Sequence, residues 1–126
     1  MRKNKQFQEE RMRYQGGCHC GAVRYSVDVD LENPITCNCS YCSKRGSILA
    51  FTPLDNFTLE KGDESLTEYR FNTNTIEHLF CSGCGMESFA RGAMPDGTKI
   101  AAVNVRCLDG VDLNGLKPQE YDGRAH

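Results

Sequence analysis

Along this chain the apolar positions recur every second residue or in short runs, and almost nowhere at helical spacing. Residues 22–29 are the clearest case. Val23, Tyr25, Val27 and Val29 fall on one face and Arg24, Ser26 and Asp28 on the other, the period-2 alternation of a half-buried strand. Shorter segments of the same character follow at 47–52, 57–60, 66–71 and 75–80, separated by Pro53, by Lys61-Gly62-Asp63 and by residues 72–74. Segment 75–80 runs directly into Cys81, and 87–91 departs soon after Gly85, which predicts a hairpin with a cysteine knuckle at its tip. Pro95-Asp96-Gly97 signals a turn before 99–105, the most hydrophobic strand. A single helical turn is expected over 40–45, ahead of Gly46. Residues 108–126 read as polar loop anchored by Leu113, Leu116 and Tyr121, and residues 1–15 as a mobile basic arm with no apolar face. Many short strands predict a mainly β fold of two packed antiparallel sheets, one domain over 16–126.

Composition sharpens this at one point. The net charge of −2 and pI near 5.9 give no reason to expect nucleic acid or an anionic membrane as partner. No run approaches the ~18 apolar residues of a membrane span. Eight cysteines among 126 residues, however, need an explanation. A disulfide framework belongs to secreted proteins, and the first residues show no apolar signal region. The consistent expectation is a cytoplasmic protein whose reduced thiols hold metal.

Seven of the cysteines fall into three groups: Cys18-His19-Cys20-Gly21, Cys37-Asn38-Cys39-Ser40-Tyr41-Cys42 and Cys81-Ser82-Gly83-Cys84-Gly85. Two closely spaced pairs complete a tetrahedral zinc ion, so Cys18, Cys20, Cys81 and Cys84 are expected to form a closed structural site. Glycine after each pair suits the tight turn that such a grip needs. Zinc is preferred over iron because the ferredoxin spacings are absent. Cys37, Cys39 and Cys42 leave a second zinc one ligand short. Three thiolates make zinc a poor Lewis acid but a good anchor for an incoming thiol, because coordination removes the thiol proton. That points to thiolate addition to an electrophile. The alternative is a fourth protein ligand, with Cys107 the best candidate and His19 and His78 behind it. No His or carboxylate base is evident beside the triple.

These motifs carry a resemblance. GGCHCGAVRY at 16–25, CNCSYC at 37–42 followed by Gly46-Ser47, and FCSGCG at 80–85 are similar to the glutathione-dependent formaldehyde-activating enzyme family, whose domain also occurs in centromere protein V. VNVRCLDGVD at 103–112 and YDGR at 121–124 resemble its C-terminal region. The resemblance implies a zinc-stabilised, tent-like β fold with a structural zinc on Cys18, Cys20, Cys81 and Cys84. It also implies a catalytic zinc on Cys37, Cys39 and Cys42. The implied reaction joins glutathione to formaldehyde, giving S-(hydroxymethyl)glutathione, and is classed with the carbon–sulfur lyases. Lys44 and Arg45 are then candidates to meet glutathione's carboxylates, and Ser47 to donate a hydrogen bond. The competing reading is a non-catalytic zinc-stabilised binding module, with Cys107 closing the triple. A thiol–disulfide redox role for Cys39 and Cys42 is weaker, since no βαβ pattern surrounds them.

Overall fold

The computed structural model describes residues 11–70 and 76–122, with Arg11 described by its backbone alone. The alternation at 22–29 becomes β2 (Arg24–Asp30), which carries Tyr25, Val27 and Val29 inward. These three, and Val23 just before them, are wholly excluded from solvent. β1 (Arg11–Gly17) and β5 (Phe57–Lys61) flank β2 on either side, both antiparallel, and complete a three-stranded sheet.

The second sheet takes its strands from along the whole chain. They are β3 (Ile35–Cys37), β4 (Leu49–Pro53), β6 (Leu66–Tyr69), β7 (Glu77–Cys81), β8 (Phe89–Ala93), β9 (Lys99–Asn104) and β10 (Gln119–Tyr121). Their spatial order is β10-β3-β4-β9-β8-β7-β6. Every pairing is antiparallel except that of β10 with β3, so the expected pair of antiparallel sheets holds apart from one edge. α1 (Cys42–Arg45) is the single helical turn expected, closed by Gly46 at φ +72°.

One core lies between the inner faces of the two sheets. Val23, Tyr25 and Val27 share it with Leu79, Phe89, Val103 and Val105. The rings of Tyr25, Phe57 and Phe89 meet with centroids 4.6–5.5 Å apart. Two polar ties pin the sheets to each other: the Tyr25 hydroxyl donates to the Ser88 carbonyl at 2.9 Å, and Thr52 Oγ1 to the Asp28 carbonyl at 2.8 Å.

Two expectations change. Residues 11–15, read as part of an arm, belong to β1 and pair along their length with β2; residues 1–10 lie outside the described residues. The strand was hard to see because its inward parity offers only Tyr14 between the exposed Met12 and Gly16, and Gly17 follows at a close backbone approach. A Cβ on Gly17 would sit 2.1 Å from the Val23 carbonyl oxygen, so only glycine allows this approach. The outward residues are polar instead, with Arg13 Nη1 paired to Asp28 Oδ1 at 3.0 Å. Likewise the C-terminal loop contains β10, whose three residues are all exposed and carry no burial signal. The outer ends of the expected 66–71 and 75–80 strands, the separator at 72–74 and the last two residues of YDGR lie outside the described residues. Among the described residues no helix is long and apolar enough to cross a membrane.

Candidate metal centres

The turn between β1 and β2 carries Cys18 and Cys20, and the end of β7 with its following turn carries Cys81 and Cys84. Gly21 and Gly85 both adopt positive φ, +86° and +81°, as the spacing predicts. The Gly85 amide closes the knuckle onto the Cys81 carbonyl at 2.7 Å. All four Sγ atoms then lie within 4.8 Å of one another. Cys18 to Cys20 and Cys20 to Cys81 are each 3.7 Å. A disulfide needs about 2.05 Å. A tetrahedral zinc with bonds of about 2.3 Å needs sulfurs about 3.8 Å apart. The donor set therefore fits a thiolate-bound metal and not a disulfide.

Electrostatics agree. Backbone N–H groups of Cys20, Met86 and His19 hold the Cys84 thiol down to about 6. The Ala22 amide favours ionised Cys20, yet the adjoining Cys18 and Cys81 sulfurs push that thiol up to about 11. The Val23 and Gly83 amides point at the Cys18 and Cys81 sulfurs, each at 3.3 Å. The backbone amides favour thiolates that oppose one another's ionisation, a conflict that a bound dication would relieve. With four protein donors no position is left for substrate.

The triple spans the end of β3 and the start of α1. Its Sγ atoms also lie within 4.8 Å of one another. The Cys42 amide donates to Cys39 Sγ at 3.3 Å, and the Ser43 amide to the Cys39 carbonyl at 2.9 Å, which winds the loop around Cys39. Burial opposes ionisation of Cys39, but the Cys42 and Tyr41 amides outweigh it and hold that thiol below its usual value. Burial, reinforced by Cys39, pushes Cys42 up to about 12. Three soft donors converge here, again fitting zinc with one position left over.

Neither His19 nor His78 joins either sulfur group, and Cys107 stays apart from the triple. Cys107 ends a 3₁₀ turn after β9 and borders the same recess as Cys18 and His19. Partial burial pushes its thiol up to about 11, which disfavours the reactive thiolate.

The triple opens on a cavity of about 600 Å³. Arg45, His78 and Glu87 stand in its wall, the rest of which is largely aliphatic and aromatic. Glu87 is the centre of a network that sequence reasoning missed. Its Oε1 accepts from the Tyr41 hydroxyl at 2.5 Å and pairs with Arg45 Nη1 at 2.8 Å, while its Oε2 meets His78 Nδ1 at 3.0 Å. His78 packs on the Tyr41 ring at 4.4 Å, and the Arg45 guanidinium lies 5.0 Å from the same ring centre. So a His and a carboxylate do stand near the triple, contrary to the expectation of none. The fold of the β7–β8 hairpin brings them there, and their position beside the knuckle was the only local signal.

The expected carboxylate-binding residues are placed differently. Lys44 is exposed and does not line the cavity. Arg45 lines it but is committed to Glu87 and to Ser47 Oγ; its Nε alone has no partner and is buried. Ser47 is buried and borders a separate recess next to Cys84.

A crystal structure of a Rhodobacter sphaeroides protein superposes with a TM-score of 0.75 at 34% identity, covering 84% of this chain and 97% of that one. The sequence profile described as glutathione-dependent formaldehyde-activating enzyme matches residues 13–122, a span that holds both cysteine groups and every strand except the first two residues of β1. The chain belongs to the glutathione-dependent formaldehyde-activating enzyme family.

Proposed function

We propose that this chain is a carbon–sulfur lyase-type enzyme, in which a thiol at the Cys37/Cys39/Cys42 centre adds to a small aldehyde such as formaldehyde. It would act as an S-(hydroxymethyl)glutathione synthase-like protein, glutathione being the thiol that the family description names. One observation carries the reading: three cysteine sulfurs within 4.8 Å of one another at the wall of an open cavity of about 600 Å³. Zinc bound there would supply a site where an incoming thiol is held as thiolate.

The chain's own residues supply the rest. Cys37, Cys39 and Cys42 hold the centre, with backbone amides favouring the ionised form of Cys39. Glu87 fixes Arg45 and His78 in the wall and holds the Tyr41 hydroxyl. Apolar neighbours limit the water that would compete for the aldehyde. In the addition a sulfur–carbon bond forms and the carbonyl π bond opens onto oxygen. The proton lost by the thiol is balanced by the one gained by that oxygen. The reverse reaction is the lyase direction. The position of Cys107, next to Cys18 and outside the triple, favours this reading over a closed binding module.

The test follows the S–CH₂–OH carbon by exchange NMR in mixtures of thiol and formaldehyde. The protein should accelerate exchange over the spontaneous rate, and Cys39→Ala should return it to that rate. Equal rates for the two proteins would remove the catalytic assignment.

A further inference from the structure

The cavity beside the triple is unlike a receptor for a charged tripeptide. Seven large hydrophobic side chains remain exposed among the described residues, and four of them, Phe51, Ile76, Met94 and Tyr121, line this one concavity. Ile35 and Ile100 continue the same wall. Exposed apolar side chains scattered singly carry no message, but several gathered in a pocket of this size mark a binding surface for apolar groups. The strand register explains the gathering. Phe51 faces Ala102 and Pro53 faces Ile100 across β4 and β9, so both strands turn apolar residues toward the triple.

Charge points the same way. Among the described residues the acidic and basic side chains of the wall are Glu87, Arg45 and His78, and Glu87 pairs with both, at 2.8 and 3.0 Å. Glutathione carries two carboxylates and an ammonium at neutral pH. Apart from the buried Arg45 Nε, the charged groups of this wall are engaged with one another, so moving two carboxylates from water to it is unfavourable.

We infer that this cavity selects a thiol whose body is apolar, an alkyl or aryl thiol, over a thiol with free carboxylates. This rests on the thiol-binding reading of the triple, and the experiment separates the two. Calorimetric titrations of the zinc-replete protein would use n-alkanethiols from two to six carbons, n-alkanols of matched length, and glutathione. Each methylene buried in the cavity should tighten binding about fourfold, in thiols and alcohols alike, until the cavity is filled. Thiols should exceed alcohols of equal length by a constant factor, and hexanethiol should bind more tightly than glutathione. Phe51→Ser should flatten the methylene dependence while leaving zinc content unchanged; Phe51 is 45% exposed, so its loss opens no core void.

A flat series in both classes would overturn the inference. If thiols then still exceeded alcohols, thiol capture by the triple would stand alone. A methylene dependence without a thiol advantage would support the apolar cavity and remove thiol capture. Glutathione binding tighter than hexanethiol would overturn the inferred preference.

Discussion

Arg45 and Glu87 form an ion pair at 2.8 Å that joins the helical turn of the cysteine triple to the hairpin bearing the Cys81/Cys84 knuckle. The Arg45 side chain keeps 20% of its exposure and that of Glu87 only 5%, so the carboxylate is the more deeply committed partner. The pair links the elements that carry the two cysteine groups and, among the described residues, engages the guanidinium of the cavity wall.

Removing one partner should therefore cost far more than removing both. Glu87→Ala leaves a half-buried guanidinium uncompensated, for which a loss of about 3–5 kcal/mol is expected. Replacing the pair together, as Arg45→Met with Glu87→Leu, should recover most of that loss. Urea unfolding of these two variants beside the parent tests this. Lys44→Ala, outside the cavity, should change neither stability nor thiol affinity.

Metal content gives a second expectation: two zinc ions per chain after zinc-replete preparation. The three-donor centre should release its ion to a chelator first, with the far-ultraviolet circular dichroism unchanged. Release of the second should coincide with unfolding, since binding at a four-thiolate site is folding free energy of about 10–16 kcal/mol at neutral pH. That is comparable to the whole ~5–15 kcal/mol stability of a domain. A single zinc with no stepwise release would contradict the two-centre arrangement.

The cysteines should also differ individually. Cys84→Ala is expected to abolish the cooperative thermal transition. Cys39→Ala should melt within a few degrees of the parent and lose thiol binding. If Cys39→Ala unfolded as well, the triple would be a structural clamp.

Gly17→Ala should be strongly destabilising for so small a change. Its methyl would meet the Val23 carbonyl at 2.1 Å, so β1 must shift away from β2. Overpacking of this kind costs about 1–3 kcal/mol or more. Because Cys18 follows directly, zinc retention should fall with it.

Tyr25→Phe isolates one polar tie between the sheets. The ring stays packed on Phe57 and Phe89, but the Ser88 carbonyl loses its 2.9 Å donor in a dry core. A loss of about 1–3 kcal/mol is expected by denaturant titration, with zinc content unchanged.

Much of this was legible along the chain because it depends on near neighbours. The alternation of Val23, Tyr25, Val27 and Val29 determined an inward strand face, since successive strand side chains point to opposite sides. The cysteine spacings, each pair followed by glycine, determined two grips of two thiols and a three-thiol loop, because both bite and turn are local geometry. Even the short helix before Gly46 was visible.

Other features depended on which distant segments pair, and local pattern carries no record of that. β1 was hidden because Gly16 and Gly17 mark a close backbone approach that exists only once β2 and the segment at Cys107 are in place. Exposed β10 has no burial signal, yet its parallel register sets Tyr121 beside Cys37 and brings its ring to the cavity. The position of Cys107 by Cys18 instead of the triple, and the network of Glu87 with Arg45, Tyr41 and His78, likewise follow from the packing of the hairpin against α1. The sequence by itself determined the thiol groups and the main inward face, through spacing. Only the tertiary structure decided what surrounds them, because the cavity wall is assembled from side chains on strands whose neighbours are chosen by global pairing.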